Sequence, residues 1–97
     1  RRAIELKSDF SEPHYNIGCI LRDLRQTAKA ELFLRRAIEL KPNFAAAHLN
    51  LGSTLRNLGQ FKESEKSLVQ AIELKPDLAR AYFVLSTFSK PFYLDKW

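Results

Sequence analysis

Arg1-Arg2-Ala3-Ile4-Glu5-Leu6-Lys7 returns residue for residue as Arg35-Arg36-Ala37-Ile38-Glu39-Leu40-Lys41, and again, with a changed start, as Gln70-Ala71-Ile72-Glu73-Leu74-Lys75. The spacing is 34 residues. Self-similarity at a period in the twenties to forties marks a solenoid, in which each unit buries its apolar face only by stacking on its neighbours. A chain of this kind offers an extended surface in place of an enclosed pocket, and its function is to be sought on that surface.

Within each period, apolar and small residues fall at helical spacing, with turn residues between them. The pattern predicts helices over about 12–24, 28–41, 46–58, 62–75 and 79–90, with residues 1–7 closing an earlier unit. Pro42 and Pro76 lack the backbone donor that would carry two of these helices further. Lys41 sits at the negative end of one of them, where a cation is favoured. Gly18 and Gly52 are expected to let paired helices approach closely, with Ala30, Ala37 and Ala71 serving the same end from the facing helix. Arg25 stands where the next unit has Gly59. If that turn is left-handed, Arg25 costs about 1 kcal/mol relative to Gly, and the first turn is expected to be looser or differently shaped.

Aligned on the period, the first full unit reads His14, Ile17-Gly18, Leu21, Ala30, Leu34 and Pro42. The second reads His48, Leu51-Gly52, Leu55, Ser64, Leu68 and Pro76, and a third opens with Tyr82 and Leu85-Ser86. This resembles the tetratricopeptide repeat, whose pattern is an aromatic, two residues, Leu-Gly, two residues, Tyr, then Ala, three residues, Phe, and finally Pro. The resemblance covers roughly residues 1–90. It implies an all-α fold, a right-handed superhelix of antiparallel helix pairs. Residues 1–10 would be the closing helix of a preceding repeat, 11–44 and 45–78 two full repeats, and 79–90 the opening helix of a further one. Residues 91–97 are an aromatic tail outside the repeat, expected to fold back on the last helix or to lead into a following domain. The chain has no initiator Met and begins inside a repeat, as a piece of a longer protein would.

The resemblance also implies a function: a non-enzymatic protein-interaction scaffold that holds an extended peptide in a concave groove lined by the opening helices. On the first of these, His14, Ile17, Gly18 and Leu21 form the stripe pointing into the stack. Glu12, Tyr15, Asn16, Cys19, Arg22 and Asp23 form a second stripe, rotated away from it. The period turns this second stripe into columns: Arg22, Arg56, Lys90; Tyr15, Leu49, Phe83; Asn16, Asn50, Val84; and Cys19, Ser53, Thr87. The candidate groove is therefore Tyr15, Asn16, Cys19, Arg22, Leu49, Asn50, Ser53, Arg56, Arg80, Phe83 and Thr87. Apolar groups there would hold ligand side chains, Asn amides would pair with a peptide backbone, and guanidinium forks would select carboxylates or phosphates. The expected ligand is an acidic or phosphorylated extended segment. The carboxylate-clamp subgroup of the family is not matched, because Tyr15 and Cys19 hold its first pair of places and Val84 one of its last, although Arg80 is basic.

Other classes find less support. His14 and His48 recur at the repeat spacing without Cys or carboxylate neighbours at ligand spacing, so they read as packing residues and not as a metal site. Cys19 has no partner arranged to activate it, and no phosphate-cradling Gly-rich loop is present. Nothing implies a cofactor or an enzyme. The net charge is +5, which raises nucleic acid as a partner, yet sixteen basic residues are interspersed with eleven acidic ones instead of forming one track. A single Cys favours a reducing compartment, hence the cytoplasm, and no apolar run approaches membrane-spanning length. Two alternatives remain open: a substrate-positioning module of a larger sulfotransferase or glycosyltransferase, and a basic solenoid associated with nucleic acid. Self-association through the open repeat ends is a further expectation.

Overall fold

The computed structural model describes the backbone of residues 2–86 and the side chains of residues 10–86. Thr87, Lys90 and the tail at 91–97 lie outside the described residues. The described chain forms five helices: α1 (Arg2–Asp23), α2 (Thr27–Leu40), α3 (Ala45–Asn57), α4 (Phe61–Leu74) and α5 (Ala79–Ser86). α1 pairs with α2 and α3 with α4 as helical hairpins, α2 lies against α3, and α4 lies against α5. The result is a helical-hairpin superhelix.

The close approach within each hairpin follows from two glycines. A Cβ built on Gly18 would meet Leu34 Cγ at 2.8 Å, and one on Gly52 would meet Leu68 Cγ at 2.6 Å. Leu34 and Leu68 are fully buried, as are Ala30, Ala37 and Ala71. Ser64 stands where the first hairpin has Ala30, and its hydroxyl donates to the Gly52 carbonyl at 2.6 Å, so the buried polar group is satisfied. Between hairpins, Leu34 of α2 packs with Leu51 and Leu55 of α3, and Ala37 packs with Phe44 and Ala47. Leu68 and Ala71 of α4 pack with Leu49, Ala81 and Leu85.

The two hairpin turns are alike, which corrects the expectation of a differently shaped first turn. Arg25 has φ 64° and Gly59 has φ 83°. Gln26 N–H bonds the Leu21 carbonyl at 2.8 Å and Gln60 N–H the Leu55 carbonyl at 2.9 Å; Arg25 and Gly59 N–H bond the carbonyls of Arg22 and Arg56. These paired bonds are the Schellman arrangement that closes a helix on a left-handed residue. The packing of α1 on α2 imposes the geometry, and Arg25 accepts the strain.

A second correction concerns the start of the chain. No break separates a closing helix at 1–10 from an opening helix at 12–24; Arg2–Asp23 is one helix with Pro13 inside it. The reason lies in the link sequence. Lys41-Pro42-Asn43-Phe44 and Lys75-Pro76-Asp77-Leu78 each make a turn closed by the N–H of the fourth residue on the carbonyl of the first, at 3.1 and 3.2 Å. At the equivalent place the chain has Lys7-Ser8-Asp9-Phe10. Ser8 keeps its N–H where the other links have Pro, so the helical ladder runs on. Pro13 removes only one donor, further along.

Arg25→Gly is expected to raise stability by about 1 kcal/mol, because glycine adopts the left-handed turn freely. Gly52→Ala is expected to lower it by about 1–3 kcal/mol through overpacking against Leu68. Chemical denaturation of each variant followed by circular dichroism checks both signs; a neutral Gly52→Ala contradicts the close approach.

Candidate functional site

The opening helices α1, α3 and α5 stand side by side. The candidate residues divide sharply between the step from α1 to α3 and the step from α3 to α5.

In the first step the polar side chains satisfy one another. Asn50 is buried, its Nδ2 donating to the Tyr15 hydroxyl at 3.0 Å and to the Ala46 carbonyl at 2.9 Å. Its Oδ1 accepts from Arg22 Nη1. Both donors of the amide are engaged inside the protein, so it has none left for a ligand backbone. Asn16, one period earlier, is exposed. The two asparagines therefore do not form rungs of one ladder, a correction to the sequence reading. Arg22 is held by Asn50 and by Asp23 at 3.6 Å, with its side chain only 19% exposed. Tyr15 is half-buried and packs on Phe44 with ring centroids 4.8 Å apart. Burial pushes the Tyr15 phenol above its ordinary value and its hydrogen bond with half-buried Cys19 adds to this, while the charges of Arg22 and Arg80 pull the other way.

In the second step the same positions are apolar. Leu49, at the Tyr15 position, is buried in the core with Ala81 and Leu85, and Val84, at the Asn50 position, packs against that cluster. Leu49 is thus a core residue and not an apolar rung of the groove. The position that gives Arg22 its acceptor holds a valine in the next step, and Arg56 forms no ion pair among the described residues. Ser53, Arg56, Asn57, Phe83 and Val84 surround a depression of about 220 Å³ between α3 and α5. Phe83 is 69% exposed and Arg80, a turn earlier on α5, is also exposed. Asn57 was not singled out from the sequence, although Ser53, Arg56 and Asn57 have the i, i+3, i+4 spacing of one helical face.

The histidines are not simply core. His48 is half-buried and its Nε2 lies 2.9 Å from the Pro42 carbonyl, which requires the proton on that nitrogen. Tyr82, one period on, donates to the Pro76 carbonyl at 3.2 Å. Each side chain tethers its opening helix to the preceding link. His14 has no such link behind it; its Nδ1 lies 2.8 Å from the Phe10 carbonyl, and its ring sits 6.1 Å from that of Phe33. Among the described residues no three His, Cys, Asp or Glu side chains gather where a metal ion would fit, and no helix is long and apolar enough to cross a membrane.

The family model for the tetratricopeptide repeat matches residues 11–44 and 45–78. No curated protein matches the chain.

Asn50→Ala is expected to cost about 1–3 kcal/mol, since it strips Arg22 and Tyr15 of a buried partner. Asn16→Ala should stay within about 0.5 kcal/mol, as an exposed residue does. Denaturant melts distinguish the two; equal costs contradict the division between the asparagines. The raised Tyr15 phenol also gives a sign. Above pH 10 the unfolded chain releases the proton that the folded chain still holds, so stability falls as pH rises through the folded value. Tyr15→Phe should flatten that part of the stability profile, measured by melts at stepped alkaline pH.

Proposed function

Starting from the chain's membership of the tetratricopeptide-repeat family, we propose that it is a protein-interaction scaffold, without catalytic activity of its own, that binds an extended acidic or phosphorylated segment of a partner along its opening helices. Repeats of this family are generally protein-interaction modules, and that coarser role belongs to the family as a whole. The observation that carries the finer reading is the exchange at one position between steps: Asn50 ties Arg22, whereas Val84 offers Arg56 no acceptor. Arg56 and Arg80 are then the cations available to a carboxylate or phosphate, and Phe83 is the exposed ring beside them. Arg22, Asn50 and Tyr15 act as the rigid wall behind them. Asn16, Cys19 and Ser53 contribute polar edges along the track.

An extended segment advances about 3.3 Å per residue. Neighbouring packed helices lie about 8–10 Å apart. Acidic groups three or more residues apart therefore suit this face. Nucleic acid is less well served, because Arg35 is paired with Glu31 at 2.8 Å and with Glu63 at 3.3 Å, and Arg36 with Glu39 at 2.8 Å. A solenoid with one unpaired cysteine suits a reducing, cytoplasmic setting.

Isothermal titration with a peptide carrying spaced glutamates and one apolar residue tests the reading. Arg56→Ala should weaken binding about ten- to hundredfold, the loss of one charge-assisted contact. Arg56→Lys, which keeps the charge but loses the guanidinium fork, should weaken it less. Unchanged affinity in both variants removes Arg56 from the account.

A further inference from the structure

The molecule shows, in its second hairpin, how one of its own faces is covered. On α3 the face turned to the preceding hairpin carries Phe44 at its start and then Leu51, both buried and packed with residues of α2, with buried Thr54 a turn further on. The same face of α1 carries Phe10, Ile17 and Ile20, followed by Leu24, and these are 56%, 42%, 57% and 61% exposed. Ile17 was expected to point into the stack; it occupies the stacking position, but nothing among the described residues covers it. The uninterrupted course of α1 through Ser8 carries Arg2–Lys7 straight onward in line with the helix, so this segment cannot fold back over the face as α2 folds over α3.

The row has a symmetry of its own. Phe10, Ile17 and Leu24 are seven residues apart, and Ile20 falls between the last two at the spacing of a two-helix seam. Phe10 and Leu24 are equidistant from Ile17, so in an antiparallel copy Phe10 meets Leu24 while Ile17 meets itself. A surface that complements itself in this way is what a two-fold axis requires, and it closes at two copies. With Ile17 on the axis the two copies of α1 overlap from Phe10 to Leu24, about 22 Å, which is two heptads of seam. The four side chains expose roughly 400 Å² of apolar surface per copy, which with its polar flanks reaches about the 1,000 Å² at which a specific interface begins.

We infer that this chain forms a two-fold dimer through antiparallel pairing of α1 with α1 of a second copy, seamed by Phe10, Ile17, Ile20 and Leu24. The dimer does not depend on the groove reading, because α5 and the depression beside Phe83 lie beyond α3 from this face.

Sedimentation velocity across micromolar concentrations reads the mass directly. The chain should shift from 11.2 kDa towards twice that value, and Ile17→Lys should hold it at one chain with an unchanged circular dichroism spectrum. The axis has a second signature. In a Cys19→Ser background, Ile17→Cys should cross-link to itself under mild oxidation. Phe10→Cys should do so only when mixed with Leu24→Cys. A single-chain mass at every concentration overturns the inference and assigns the face to a covering helix within a longer chain. A dimer that survives Ile17→Lys overturns it in favour of another surface.

Discussion

The face that α3 turns towards α2 cannot be buried by its own hairpin, and the rest of the structure depends on that constraint. Leu34 settles against Leu51 and Leu55, and Ala37 settles against Phe44 and Ala47. The contact fixes how far one hairpin is rotated relative to the next, and so which side chains of α1 and α3 face each other. Gly18 and Gly52 act one level below, by letting each hairpin close on its own leucine. His48 and Tyr82 act one level above, tethering each opening helix to the carbonyl of the link before it.

The period alone makes much of this legible. Pro42 and Pro76 mark two links, and Gly59 marks a left-handed turn that Arg25 must also adopt. What the sequence did not reveal was environment, because residues one period apart share an address but not neighbours. Asn16 and Asn50 are the same letter at the same position. Asn50 meets Tyr15 and Arg22 from the hairpin before it, and Asn16 has no described hairpin before it. Leu49 reads as a rung beside Tyr15, yet its neighbours across the step are Ala81 and Leu85, and it joins the core. The continuity of α1 was legible in principle, since Ser8 stands at the place of Pro42, but the strength of the repeat argued for a break there.

The same contrast explains how one residue type does two jobs. Arg22 and Arg56 are one period apart, and the side chain opposite each decides its role. Asn50 makes Arg22 part of the frame; Val84 has no side-chain acceptor to hold Arg56 in the same way. On the function proposed above, a solenoid built from near-copies concentrates its recognition chemistry in one step, between α3 and α5, and uses another for rigidity. Two apolar positions, Leu49 and Val84, replace Tyr15 and Asn50 together, as a cross-step pair must if no buried donor is to be orphaned.

The most direct test of this division is to follow backbone amide resonances by NMR while an acidic, extended peptide is titrated. The account predicts that shifts concentrate on Ser53, Arg56 and Asn57 of α3 and on Arg80 and Phe83 of α5, with Asn50 and the helices α2 and α4 little changed. Shifts centred on Arg22 and Asn50, or spread over α2 and α4, would contradict it.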